Sequence, residues 1–444
     1  MSTPVTAIFD IGKTNKKFFL FDRDLNKVHH EYLQLEQTED DDGFPCEDLN
    51  VLGTWMREVM NEALRSAEHS VQALNFSGYG ASLVHLDAQG RVATPFYNYL
   101  KPFPEKLLRE FEAQYGPAEQ NDLETGSPTL GMLNAGMQLY WLKKTKPRQF
   151  AAIRHTLHFP QYLSYLFTGQ LACEPTSVGC HTKLWDFQRH QYHAWVHQEG
   201  VDRLFPTIVP ASHSFATRLL NQEVQIGVGI HDSSAALVAY QHRYQEPFIL
   251  LSTGTWNICL NPFTEEPLTP EELRKDCLFF LDVRGRLVKA ARLFLGNEFE
   301  HQVKRLNKTF GKEPEYYRTI LGNESITNAL ASGSIGGQFY PDTIGNLLPT
   351  EVLTPHRWQP ELFDTYEEAY HHLVWGLAVL QKESLLLAQG ASPIHQVFVD
   401  GGFAHNVLFI RMLERLLPDR TFRISSLPMG SAYGAAMAMK PPEG

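Results

Sequence analysis

Long apolar runs are missing from this 444-residue sequence. No stretch of about 18 uninterrupted apolar residues occurs, the length a spanning helix needs, so no membrane partner is expected. The opening MSTPVTAIFD has no basic segment ahead of an apolar one, so no export signal is expected. Cysteine is scarce. The five residues Cys46, Cys173, Cys180, Cys259 and Cys277 are scattered, with no CxxC pair and no Cys/His cluster. That excludes a disulfide framework and a zinc module, and it fits free thiols in a reducing cytoplasm. Basic charge is in deficit, with 39 Lys and Arg against 50 Asp and Glu and a net charge of −11. A nucleic-acid partner, which calls for a basic face, is not expected. No linker is low-complexity, and no Walker A GxxxxGK[ST] loop occurs.

What remains is an ordinary globular composition, 43% apolar and 20% charged. A chain of this length buries a large core without staples and fills two or three domains at about 150 residues each. VTAIFD and KKFFLFD, either side of a Gly/Thr/Asn turn, predict a hairpin. Residues 51–69 carry apolar positions at helical spacing. ALNFSGYG reads as a buried strand ending in glycines, and SLVHLDAQGRVATP as a second hairpin turned at DAQG. Residues 128–170 read as mostly helical, and IGVGIHDSSAALVAY as a strand feeding a helix. PFILLSTGTWNICLNP then repeats the opening theme. Its Ser252–Asn257 turn echoes Asp10–Asn15, and Gly12 and Gly254 lie more than half the chain apart. Two similar halves are expected, with a boundary near residues 222–228.

Four segments hold residues suited to chemistry. Asp10 ends a strand before Gly12, Lys13, Thr14, Asn15, Lys16 and Lys17. Glycine lets backbone approach a ligand, and amides, hydroxyls and lysines can surround a phosphate. The carboxylate suits Mg²⁺ held through water; the same residues also make a plain hairpin with a solvated basic tip. Thr253, Gly254 and Thr255 form a second such turn. Asp232 in GIHDSSAAL suits either a helix cap or a general base that takes a hydroxyl proton during phosphoryl transfer. His231 beside it suits a substrate contact or a polar core niche. Asp400–Asn406, with Gly401 and Gly402, suits a flat base or ribose, or else a tight strand–helix turn. Gly78-Tyr79-Gly80 ends a strand where a small polar ligand or a packed helix could approach.

Together these segments resemble the FGGY family of carbohydrate kinases, in matched order from Ala7 to about Ala438. DIGKTNKK resembles the family's DxGTTxxR phosphate loop. FPQYLSYLFTG followed by EPTSVGCHTKLWD resembles its PDYLxxxLTG and D/E-x-T-x-A-S-x-T pattern. VGIHDSSAALVA resembles the segment of the catalytic aspartate, ILLSTGTWNICL the second phosphate loop, and VDGGFAHN with PMGSAYGAA the adenosine pocket. HDSSA and STGTWN sit nearest the rhamnulokinase spelling, with fuculokinases next.

The resemblance implies an α/β fold of two actin-like (ribonuclease-H-like) domains with a catalytic cleft between them. Residues 1–224 would bind sugar and residues 225–444 ATP. Asp232 would be the proton acceptor, with Gly80, Tyr79, His231 and Ser233 at the ketose. Gly12, Lys13, Thr14, Asn15, Lys16, Lys17, Thr253, Gly254, Thr255, Gly401, Gly402 and Asn406 would meet ATP, and Asp10 would hold Mg²⁺. The expected reaction transfers the γ-phosphoryl group of ATP to a ketose hydroxyl, O1 of a 6-deoxyketohexose such as L-rhamnulose or L-fuculose. A pentulose or other polyol acceptor, or an actin-like ATP switch without kinase activity, is the alternative. A cytoplasmic homodimer is the expected form. The departures from the family pattern fall at Lys13, Asn15 and Lys17, at Gly78–Ala81, in PFYNYLKPF, and in RLFLGNE.

Overall fold

Apolar residues on both faces of TPVTAIFDI bury this first strand, Thr3–Ile11, on two sides. It pairs antiparallel with Lys16–Phe21 and parallel with His69–Gly78. The Phe9 ring lies 4.8 Å from Phe18 and 6.1 Å from Phe76, all three fully buried. Emptying one such phenylalanine site would cost about 3–5 kcal/mol. The structure, a computed structural model, describes residues 2–335, 337–344, 358–425 and 429–439.

Lys27–Leu33 extends this sheet on one side and Gln222–Gly227 with Ser214–Leu219 on the other. Ile230–His231 adds a short parallel pairing at the end of His69–Gly78. One face is covered by the helix Leu49–Arg65, whose cap Asp48 accepts hydrogen bonds from the amides of Asn50 and Val51. The helix Asp232–Arg243 and the last described helix, Gly430–Ala438, pack on one another. A Cβ on Gly434 would lie 1.8 Å from the Ala235 carbonyl oxygen, so only glycine permits that approach.

A second sheet repeats the plan. Phe248–Thr253 pairs antiparallel with Asn257–Asn261, which pairs antiparallel with Leu287–Leu293. On its other side it pairs parallel with Gln396–Gly401, and that strand with Thr421–Ile424. In both sheets the first hairpin and its third strand are followed by two parallel neighbours. This is the ribonuclease-H-like arrangement implied above, and the echo of the two turns reflects it.

The chain forms two compact units. One holds Met1–Gln245, Phe279–Leu287 and Pro428–Gly444; the other holds Glu246–Leu278 and Val288–Leu427. The boundary expected at 224/225 therefore moves to 245/246. Gln222–Gly227 pairs inside the first sheet and the helix after it packs there, so Asp232 belongs to the first unit. The segment GSAYGAA also falls in the first unit, and Pro428 before it lies outside the described residues.

Two local expectations change. The DAQG turn forms, with Ala93 N–H donating to His85 O at 2.8 Å, but its outgoing arm gives a single bridge, Leu86 to Val92. Pro95, which lacks an amide donor, follows directly. Leu83–Leu86 pairs instead with His155–His158, a strand set between the helices Pro147–Ala152 and Phe159–Thr168 in the stretch read as mostly helical. Among the described residues no helix is long and apolar enough to cross a membrane.

Candidate active site

Three strand ends converge in the first unit. Thr3–Ile11 delivers Asp10, His69–Gly78 runs into Tyr79 and Gly80, and Ile230–His231 leads to Asp232 in the first turn of its helix. His231 Nε2 lies 3.2 Å from Asp232 Oδ1 and 3.1 Å from Cys180 Sγ. Nε2 thus has a carboxylate oxygen and a sulfur as neighbours. The His231 amide donates to Thr176 Oγ1 at 2.9 Å, and Thr176 is held by the buried cap Glu174. The imidazole edge meets Phe280 at 5.3 Å and His181 at 6.5 Å.

Gly80 completes this corner. A Cβ there would lie 2.7 Å from Cys180 Sγ and 3.1 Å from the His231 ring. The glycine is thus required by packing on the two side chains beside the carboxylate.

Asp232 accepts from the Ser233 amide at 2.6 Å and from Ser233 Oγ at 3.3 Å. Its side chain keeps 33% of its surface exposed. Burial of the carboxyl, and then the negative charge of Asp10, raises its pKa to about 7. Amide bonding from Ser233 and the Lys17 charge oppose this but do not cancel it. A carboxyl poised there can take up and give back a proton near neutral pH.

Asp10 is buried. Its Oδ1 accepts from Ser431 Oγ at 2.9 Å, and its Oδ2 lies 3.7 Å from Lys17 Nζ. Among the described residues, trios of metal-ligating side chains occur only elsewhere, at Glu124, Asp186 and His193 and at Asp40, Asp41 and Asp42. A Mg²⁺ at Asp10 would thus be carried by one or two carboxylates with water and phosphate. This is the way that cation is commonly bound, so the donor set fits it.

The lysines of the first loop separate. Lys17 faces Asp10. Lys16, expected at a phosphate, is turned inward instead, with 2% of its side chain exposed. Its Nζ donates to Gly12 O at 3.0 Å and Lys13 O at 2.9 Å, and pairs with Glu47 at 3.1 Å. Burial lowers its pKa, against the pull of Glu47. Lys13 Nζ lies 3.3 Å from the same Glu47, which also accepts from Tyr79 OH at 3.0 Å. Thr14 and Asn15 are exposed and Gly12 is half-buried.

In the second unit, Thr253 Oγ1 donates to Asp400 O at 2.6 Å and accepts from the Phe403 amide at 3.0 Å. It ties the two loops together. Gly401 has φ +87°, and a Cβ there would lie 1.8 Å from Thr253 O. Gly254, Thr255 and Gly402 are exposed, and a Cβ on Gly402 would meet nothing within 4 Å. Asn406 caps the helix Val407–Leu416 through Phe409 N at 3.1 Å, and its amide donates to Tyr370 OH. Gly296 of RLFLGNE lies so near the turn that a Cβ would sit 1.9 Å from Gly254 O.

Sequence reasoning passed over Glu47, Cys180 and Ser431. Period-two alternation in KKFFLF puts Lys16 on the face of the core residues Phe18 and Leu20, which does point it inward. That inward cation requires a buried acid, but nothing local marks Glu47 as its partner.

Both halves of the chain match models of one protein family. Residues 5–238 match the N-terminal domain of the FGGY family of carbohydrate kinases, and residues 245–443 match the carbohydrate kinase FGGY C-terminal domain. A rhamnulokinase of Halalkalibacterium halodurans is 25% identical over 276 residues, 56% of this chain and 52% of that protein. The alignment thus spans about half the length of that relative. A carbohydrate kinase from Novosphingobium aromaticivorans superposes with a TM-score of 0.79 at 26% identity, covering 100% of this chain and 93% of the other. A gluconate kinase from Lactobacillus acidophilus shares the fold, with a TM-score of 0.80 at 13% identity over 99% of this chain and 89% of the other.

Proposed function

The chain belongs to the FGGY family of carbohydrate kinases, and we propose that it transfers the γ-phosphoryl group of ATP to a hydroxyl of a ketose. The observation that carries this reading is the placement of Asp232 in the first turn of its helix, with its Oδ1 3.2 Å from His231 Nε2; burial and the charge of Asp10 raise its pKa, which suits it to the role. Asp232 accepts the hydroxyl proton as the oxygen attacks phosphorus, and the P–O bond to ADP breaks. His231 orients the carboxylate and, with Gly80, Tyr79 and Ser233, borders the acceptor. Gly12, Thr14, Asn15 and Lys17 line the transferring phosphate. Gly254, Thr255, Gly401 and Gly402 offer exposed backbone to the nucleotide, and Thr253 and Asn406 hold those loops in shape. Mg²⁺, when bound at Asp10, would offset charge on the phosphates.

The acceptor is a 6-deoxyketohexose phosphorylated at O1. The HDSSA and STGTWN spellings and the rhamnulokinase relative support that choice. A coupled ADP-release assay with Mg-ATP tests it across L-rhamnulose, L-fuculose, the xyluloses and ribuloses, D-fructose, D-tagatose and glycerol. Turnover that rises sharply with a 6-deoxyketose and disappears in Asp232→Asn is expected. Turnover driven by a pentulose alone would reject the substrate, and ATP binding with no acceptor-driven turnover would reject the kinase reading.

A further inference from the structure

Lys13 stands in a loop of phosphate-binding type, yet its side chain leaves that loop. The ammonium lies 5.3 Å from the Tyr79 ring centroid and 5.2 Å from that of Tyr99. Glu47 pairs with it at 3.3 Å while also accepting from Tyr79 OH. The Glu47 side chain is 3% exposed, that of Lys16 beside it 2%, and that of Lys13 22%. Lys16 neutralises Glu47 in the interior, so the trio keeps one positive charge, carried outward by Lys13.

The other two lysines have separate tasks. Lys16 pins the carbonyls of Gly12 and Lys13, which shapes the loop. Lys17 lies against Asp10, and its charge reaches Asp232. Lys13 is the one directed to the Tyr79–Gly80 strand end, where Gly80 packs on His231. An ammonium has three donors, and among the described contacts a single anionic residue, Glu47, meets it.

We propose that Lys13, held between Tyr79 and Tyr99 by Glu47, is an acceptor-binding and specificity-determining residue that donates to hydroxyl oxygens of the sugar, and is not a ligand of the ATP phosphates. Tyr79, buried, and Tyr99, half-buried, turn their ring faces to the ammonium and hold it in place, and the ammonium supplies a charged donor to an acceptor hydroxyl. Glu47 is the positioning residue for this donor. The inference rests on the ketose-kinase reading for its sugar half and on the direction of the side chain for its nucleotide half.

The test varies acceptor and ATP separately in wild type, Lys13→Met and Lys13→Arg, and measures binding of Mg-AMP-PNP calorimetrically without sugar. Losing a charged donor to a hydroxyl should raise acceptor KM about tenfold to a hundredfold in Lys13→Met. ATP KM and the affinity for Mg-AMP-PNP should stay within about twofold, and Lys13→Arg should recover part of the acceptor KM. A tenfold loss of Mg-AMP-PNP affinity in Lys13→Met, with acceptor KM unchanged, would overturn the assignment. If wild type phosphorylates no sugar, the kinase reading fails, whereas the nucleotide titration still decides whether Lys13 meets phosphate.

Discussion

Ser431 Oγ donates to Asp10 Oδ1 at 2.9 Å, so the last described helix of the chain holds the carboxylate that ends its first strand. Asp10 so held is the negative neighbour that, after burial, raises Asp232. The C-terminal helix is therefore part of the chemistry of the first unit, and four consequences of this site can be measured.

Asp232→Asn should lower kcat by about 10²–10⁴-fold, the range for a lost general base. It should also stabilise the protein. A carboxyl raised in the folded state binds its proton more tightly there than in the unfolded chain. Its stabilising share is present at acid pH and is lost as pH rises toward about 7. The variant should melt above wild type at pH 8, with the gap closing toward pH 5. Equal melting at both values would remove the assignment of the raised group to Asp232.

The free-enzyme pH profile follows from the same group. A base must be unprotonated to act, so kcat/KM for the sugar should climb between pH 6 and 8 with a midpoint near 7. A profile flat down to pH 5 would contradict it.

Gly80→Ala should overpack the corner against Cys180 and His231. About 1–3 kcal/mol of stability should be lost, with a fall in kcat as His231 is displaced from Asp232. Cys180→Ala in the same chain makes room for the methyl group and should restore much of both. Wild-type kinetics in Gly80→Ala alone would show that the contact is unimportant.

Glu47→Gln leaves Lys16 buried without its counter-charge and should cost about 3–5 kcal/mol in urea unfolding. Lys16→Met should cost less, because Glu47 keeps Lys13 and Tyr79. Placing both changes together should cost less than their sum.

Much of this was legible in one dimension. The VTAIFD and FILLST strands, their glycine turns and the HDSSA start of a helix are local patterns of apolar alternation and turn residues, and the structure forms all of them. Lys16 sits in a basic run beside a glycine turn, a pattern that suggests a solvated tip, while its strand alternation turns it inward. Asn406 and Thr253 spend their side chains on a cap and a loop tie, the bland uses that their residue types always permit.

The elements, and the order in which two like sheets are built, follow from local sequence, because strand periodicity and turn chemistry act over a few residues. Which charges meet is settled by packing in three dimensions. Glu47 finds Lys13 and Lys16, Cys180 finds His231 and Ser431 finds Asp10 across long stretches of chain. The reason is physical: a buried charge or thiol is compensated by whatever group packing brings within about 3 Å, and separation along the chain does not enter that energy.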